Sequence, residues 1–166
     1  PYLKGDTPSL LDNYVPKITQ AFITSRLDSV AAVLQNALTD DPLENEEQLQ
    51  DQLDSIPFLC RFQYEKSSEF LIMLGEPILK AYIEYANNNM QSSAVPIEVL
   101  EGQLTWLVYI HGAIIRGRLS SSAAESQEVI DGELASRVFQ LVLVTDNAMH
   151  QGRFGEISKQ RLDCAI

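Results

Sequence analysis

The sequence has little of what marks disulfide-stapled domains or membrane spans. Its 166 residues include two cysteines, Cys60 and Cys164, which are too few and too far apart to form a disulfide framework. The longest apolar run, residues 104–115, is interrupted by polar residues and is shorter than the roughly 20 residues needed to cross a bilayer. These features favour a reducing compartment and predict no membrane insertion.

Positive charge is also scarce. Twelve Lys and Arg residues face 23 Asp and Glu residues, giving a net charge of −11. A chain this acidic repels phosphate backbones and anionic lipid surfaces. We therefore expect no direct nucleic-acid partner, whereas a basic protein partner is compatible with the charge.

Motifs of catalysis are missing from the sequence as well. There is no phosphate loop, dinucleotide fingerprint, His-Glu-x-x-His, Cys-x-x-Cys or Gly-x-Ser-x-Gly pattern. His111 has no carboxylate within one helical turn to orient it, so we interpret it as a buried structural histidine. We predict no catalytic, cofactor-binding or metal-binding residue, and thus a protein that is not an enzyme.

Two other candidates for chemistry have simpler interpretations. Cys60 lies beside Arg61, which could lower its pKa, but a core cysteine on a helix is the better prediction. Asp131 and Glu133 flank Gly132 and could bind a cation, although oxygen cages need more donors. Negative charge near a helix start, where it favours the macrodipole, is the preferred interpretation.

The spacing of apolar residues is helical almost throughout and predicts an all-α fold of about six segments. Towards the end of the sequence it predicts a helix with Val129, Leu134 and Leu141 on one face, ending near residue 146 or 147, and then the first part of a further helix at 153–166. Antiparallel helix pairs of roughly 40–50 residues are typical of a HEAT-like α-solenoid, and a compact helical bundle is the alternative. Loops are expected near 39–45, 87–96 and 118–127. Because the chain begins without Met, we interpret residues 1–166 as a single helical-repeat segment of a longer protein.

Prolines are expected to shape the first three helices. Thr7 is a predicted N-cap, and the first helical segment should end near residue 38. Pro16 should kink or divide that helix, and Pro57 should interrupt the second. Gly75 and Pro77 predict a bend in the third.

The segment 101–118, EGQLTWLVYIHGAIIRGR, is apolar on nearly every side. Such a helix is normally buried between neighbours. Its glycines Gly102, Gly112 and Gly117 each cost about 1 kcal/mol relative to alanine. We expect close approach of neighbouring helices to offset that cost.

The most unusual electrostatic feature is an acidic stretch with no Lys or Arg between Arg26 and Arg61. Its members are Asp40, Asp41, Glu44, Glu46, Glu47, Asp51 and Asp54. Such a concentration of charge can steer a basic partner towards its surface. A solvated loop and helix face is the simpler interpretation, and both remain open.

Several strings resemble the exportin-7 branch of the importin-β-like nuclear transport receptors. They are PYLKGDTPSLL, SRLDSV, DDPLE, CRFQYEK, EGQLTWLVYIHGAIIRGR and DGELASRVFQL. The resemblance implies a section of a HEAT-repeat superhelix that carries protein cargo through nuclear pores under control of the GTPase Ran.

The implied partners are Ran (through the full-length receptor), protein cargo and nuclear pore proteins. The implied location is the nucleus and cytoplasm, with shuttling between them. The resemblance implies no catalytic residue and no cofactor, because the GTP chemistry belongs to Ran. Two alternatives remain at this point: a helical-repeat adaptor scaffold without Ran dependence, and a small helical enzyme built around His111.

Overall fold

The computed structural model describes residues 10–36, 40–87, 95–117 and 125–150. In these residues the chain forms five helices and no strand, so the predicted all-α class is confirmed. They are α1 (Leu10–Leu34), α2 (Glu46–Phe62), α3 (Tyr64–Asn87), α4 (Ile97–Arg116) and α5 (Glu125–His150). The predicted N-cap Thr7 and the predicted further helix at 153–166 lie outside the described residues.

Local chemistry explains where the first two helices end and begin. The backbone of Asn36 has φ 55°, a left-handed conformation that Asn tolerates and that commonly terminates helices. At the start of α2, the side-chain oxygen of Asn45 accepts a hydrogen bond from the backbone N–H of Gln48 at 3.1 Å. Glu46 and Glu47 occupy the first turn, where negative charge interacts favourably with the positive end of the helix dipole.

α4 is the centre of the structure and packs against each of the other four helices. The prediction that this helix is buried between neighbours is confirmed. Six of its large apolar side chains are almost completely shielded from solvent: Leu104, Trp106, Leu107, Val108, Ile110 and Ile114. Burying each such side chain stabilises the fold by about 1.5–3 kcal/mol. None of the helices in the described ranges is both long enough and apolar enough to span a membrane.

The prolines do not divide the helices that contain them. α1 includes Pro16, α2 includes Pro57 and α3 includes Pro77, yet each helix is continuous. The predicted interruption at Pro57 was therefore wrong, as was division at Pro16. Proline at position 16 removes the hydrogen bond that the carbonyl of Asp12 would otherwise accept. The side-chain amide of Gln63 donates to that carbonyl at 3.0 Å and replaces the lost bond.

α1 follows its apolar spacing only in part: Leu11, Ile18, Phe22 and Val30 recur mostly at three- and four-residue steps and predict one packed face, but only Phe22 and Val30 of these pack in the core. Leu11 and Ile18 are exposed. The buried positions are Thr19, Ile23, Leu27, Ser29 and Val30. α1 carries apolar residues on more than one side, so its periodicity alone did not identify the packed face.

α5 is longer than expected at both ends. It begins at Glu125, inside the stretch 118–127 where a loop was expected, and continues to His150 rather than ending near residue 146. Leu134 and Leu141 are buried as its apolar face predicts, whereas Val129 is exposed.

The three glycines of segment 101–118 have different surroundings. A Cβ atom at Gly102 would lie 2.5 Å from Cγ1 of Val30, and one at Gly117 would overlap the ring of Pro57. Close approach therefore explains these two positions. A Cβ at Gly112 would meet nothing within 4 Å, so the expectation of close packing was wrong there.

The glycine surroundings predict opposite effects of the same substitution on α4. Gly112→Ala should raise the free energy of unfolding by about 1 kcal/mol, because it adds helix propensity without a steric conflict. Gly102→Ala should lower it by about 1–3 kcal/mol, because the new methyl group displaces Val30. Urea denaturation followed by circular dichroism measures both. Equal effects of the two substitutions would contradict the packing described for Gly102.

Candidate partner-binding surface

The predicted acidic residues lie on the turn before α2 and along α2 itself. Six of them are exposed to solvent: Asp40, Glu44, Glu46, Glu47, Asp51 and Asp54. Asp41 is half-buried and shapes the turn, since its Oδ1 accepts from the N–H of Leu43 at 3.0 Å and its carbonyl accepts from the N–H of Glu44 at 3.0 Å. The acidic stretch thus forms a largely exposed surface on this turn and the first part of α2.

On α2 the acidic residues continue into aromatic ones. Glu47, Asp51, Asp54, Phe58 and Phe62 recur at three- and four-residue steps, and all five are exposed. Residues at these steps lie on one side of a helix. We call this row the outer stripe of α2. Phe58 is 78% exposed, so the stripe combines negative charge with a large apolar contact.

The side of α2 opposite the outer stripe is buried in the core, and this burial fixes the orientation of the helix. Leu49, Leu53, Ile56 and Cys60 repeat at the same spacing and belong to the core. The spacing of the apolar residues determines this division, because residues at three- and four-residue steps share one side of a helix. The acidic positions of α2 consequently face solvent.

A groove of about 420 Å³ runs beside the outer stripe, between α2 and the end of α4. Its walls include Pro57, Phe58 and Phe62 from α2 and Ala113 and Gly117 from α4. Its lining also contains Arg116, whose guanidinium lies 3.9 Å from Oδ1 of Asp54. Both side chains are more than half exposed, so this ion pair contributes little to stability.

A buried ion pair lies beneath the groove and joins four helices. The guanidinium of Arg61 donates to Oδ1 of Asp131 at 2.9 Å, to the carbonyl of Ile114 at 2.9 Å and to the side chain of Gln127 at 3.1 Å. The hydroxyl of Tyr64 donates to the same carboxylate oxygen. The Arg61 and Asp131 side chains are only 10% and 5% exposed. We call these five residues the Arg61 network.

The Arg61 network corrects the preferred interpretation of Asp131. Its carboxylate is a buried partner of Arg61 in the second turn of α5, not a charge placed at the helix start. Glu133 is exposed whereas Asp131 is buried, so the two carboxylates do not form a shared cation-binding site. Burial and the Asp131 carboxylate both raise the pKa of Tyr64, which keeps its hydroxyl protonated as a donor.

Cys60 is a core residue, as predicted. It is fully buried, and this burial raises the pKa of its thiol to about 12 even though the neighbouring Arg61 charge acts in the opposite direction. A thiol with this pKa is almost entirely protonated at neutral pH and is a poor nucleophile.

His111 is buried on α4 with 3% of its surface exposed, which confirms its interpretation as a core histidine. Its Nδ1 lies 2.6 Å from the carbonyl of Leu107 in the preceding turn. Burial lowers the pKa of His111, and the charge of Arg137 adds to that effect. The imidazole is therefore neutral at physiological pH.

Sequence reasoning considered Asp131 only as a possible cation ligand and Arg61 only as a neighbour of Cys60, so it did not identify the Arg61 network. Arg61 and Tyr64 come from CRFQYEK, and Asp131 comes from DGELASRVFQL, 70 residues after Arg61. Both strings belong to the set that resembles the exportin-7 family, and this resemblance was the signal in the sequence that could have drawn attention to these residues. What sequence reasoning missed is that the two strings meet in space.

The network predicts a large penalty for removing one buried charge. Asp131→Asn should lower the free energy of unfolding by about 3–5 kcal/mol, because Arg61 then remains buried without its counter-charge. The matched control is Asp54→Asn at the exposed ion pair, which should change stability by less than about 0.5 kcal/mol. Urea denaturation measures both.

A double-mutant cycle separates the ion pair from other effects of these changes. The loss for Arg61→Met with Asp131→Asn should be smaller than the sum of the two single losses, because the second change removes a charge already stranded by the first. Additive losses, or an Asp131→Asn effect as small as that of Asp54→Asn, would contradict the described pairing.

Comparisons with known proteins give one consistent result. Residues 29–166 match the family model described as "Exportin-7-like, TPR domain". The chain is 42% identical to Exportin-7-A of Xenopus laevis, covering 91% of this chain and 14% of that protein. It is 40% identical to Ran-binding protein 17 of Homo sapiens, covering 90% of this chain and 14% of that protein. It is 36% identical to Ran-binding protein 16 of Drosophila melanogaster, covering 100% of this chain and 14% of that protein.

No solved structure matches the chain. The chain spans 14% of the length of each of these three relatives. TPR and HEAT repeats are both stacks of helix pairs, so the description of the family model agrees with the helical-solenoid class.

Proposed function

Since the chain belongs to the exportin-7-like family, we propose that it is a section of a nuclear export receptor. The receptor carries protein cargo through nuclear pores under control of Ran loaded with GTP. In this proposal residues 1–166 form one helical-repeat segment of that longer protein. The match of residues 29–166 to the family model is the observation that carries the proposal.

The segment acts as a protein-binding scaffold rather than as a catalyst. Two of the groups with the greatest potential for chemistry are occupied structurally: Cys60 is a protonated core thiol, and Nδ1 of His111 is engaged by its own helix. Catalysis by histidine needs an orienting partner. The carboxylate of Glu76 accepts a hydrogen bond from Arg137, and its Oε2 lies 3.8 Å from Nζ of Lys80, so these three charged groups also have structural partners.

The partners of the whole receptor are Ran, protein cargo and nuclear pore proteins, and it shuttles between nucleus and cytoplasm. The names of the human and fly relatives describe binding to Ran, and that of the frog relative describes export. These names support Ran and cargo as partners.

The acidic turn and outer stripe of α2 form the surface at which this segment meets a basic partner. Negative charge at the start of α2 steers the encounter, and Phe58 and Phe62 supply apolar contact beside it. The sharp division of α2 into a buried and an exposed side supports this assignment. Charged residues alone are enough to keep a helix face solvated, whereas the exposed side chains of Phe58 and Phe62 favour an apolar contact with a partner.

The test of the proposed function is capture on immobilised Ran loaded with a GTP analogue or with GDP. The full-length receptor and the 166-residue chain are compared side by side. We expect GTP-selective capture of the receptor, because Ran controls cargo binding through its nucleotide state. Capture of the short chain as well would place a Ran contact within these residues. Equal capture of the receptor on both nucleotide forms of Ran would instead favour an adaptor scaffold without Ran dependence.

The acidic surface makes a separate prediction about association rates. Changing Asp40, Glu46, Glu47 and Asp51 to the matching amides should slow the binding of a Lys- and Arg-rich probe peptide about tenfold at low salt. The rate should also depend less on ionic strength, because electrostatic steering is screened by salt. Stopped-flow fluorescence measures both quantities.

A charge-matched control removes four exposed carboxylates elsewhere. Glu65, Glu69, Glu84 and Glu98 are exposed on α3 and α4, and their change to Gln gives the same net charge. This variant should keep most of the association rate. If both variants slow the peptide equally, the effect reflects net charge and the surface has no special role.

A further inference from the structure

A small cavity lies between α3, α4 and α5. Its volume is about 30 Å³, and its walls are largely apolar, including Leu71, Leu107 and Leu141. One water molecule needs a cavity of about 10–15 Å³ measured in this way. The space is therefore sufficient for one or two water molecules and too small for an organic ligand.

His111 contributes an unusual polar group to this cavity. Because Nδ1 lies within hydrogen-bond distance of the carbonyl of Leu107, it must carry the proton and donate it. Nε2 is then a lone-pair acceptor. It is buried and has no hydrogen-bond partner among the residues that the structure describes. A buried acceptor left unsatisfied destabilises the folded state.

The same cavity is bordered by the ion pair of Glu76 on α3 and Arg137 on α5. Both side chains are partly exposed, so the pair lies at the edge of the cavity and His111 lies inside. A carboxylate accepts and a guanidinium donates, and a buried water molecule usually makes two to four hydrogen bonds. The lining therefore includes a carboxylate and a guanidinium besides His111, which are the kinds of groups that bind water.

We propose that an ordered water molecule occupies this cavity, donates a hydrogen bond to Nε2 of His111 and completes its bonding with the Glu76–Arg137 pair. It satisfies the buried imidazole and links α4 to both α3 and α5. His111 is then held as the neutral Nδ1–H tautomer. This water-mediated junction lies one helical turn before Ile114, whose carbonyl belongs to the Arg61 network.

The tautomer and the water can be observed separately by NMR on the 166-residue chain. Long-range ¹H–¹⁵N correlation should show that Nδ1 of His111 is protonated and that Nε2 is unprotonated at neutral pH. Cross-peaks between water and the His111 ring should have the sign of a long-lived bound molecule. A protonated Nε2, or a ring without such cross-peaks, would overturn the proposal.

Two matched Gly→Ala variants localise the water to the cavity. Gly75 lines the cavity, and a Cβ there would make an ordinary 3.5 Å contact with Leu107, so Gly75→Ala should fill the space without disturbing the helices. We expect the water cross-peaks to His111 to disappear. Gly112→Ala, next to His111 but facing open space, should keep them. Loss in both variants, or in neither, would contradict a water held in this cavity.

Discussion

The buried contact between Arg61 and Asp131 is the interaction on which the arrangement of the helices depends. An ion pair this far from solvent is stable only when further hydrogen bonds surround it. Tyr64, Gln127 and the carbonyl of Ile114 supply those bonds, and each comes from a different helix. The ion pair and its hydrogen bonds therefore join α2, α3, α4 and α5 at one point in the structure.

A second constraint acts through the junction between α2 and α3. Gln63 is the single residue that separates the two helices, and its side chain reaches α1 at the carbonyl that Pro16 leaves without a helical partner. A proline that would otherwise weaken α1 thus creates a specific docking point. Together Arg61, Gln63 and Tyr64 connect one short segment to every other helix described.

These internal constraints also present the candidate binding surface. Because α2 is fixed by its buried side, the acidic and aromatic residues of its outer stripe are held in one row beside the groove at the end of α4. Sequence reasoning could identify the acidic stretch, because the Asp and Glu residues can be read directly from the sequence. It could not place Phe58 and Phe62 in the same row as exposed groups, because an aromatic residue on an amphipathic helix is usually expected in the core.

The sequence by itself determined the helical class, the burial of segment 101–118, the core positions of Cys60 and His111 and the family to which the chain belongs. These follow from periodicity, from composition and from strings of neighbouring residues, all of which are local. Only the tertiary structure decided which face of α1 is buried, that Asp131 pairs with Arg61, and that Gly102 has a close neighbour whereas Gly112 has none. Those features depend on contacts between residues about 70 positions apart, and burial of a charge or a glycine is decided by what packs against it.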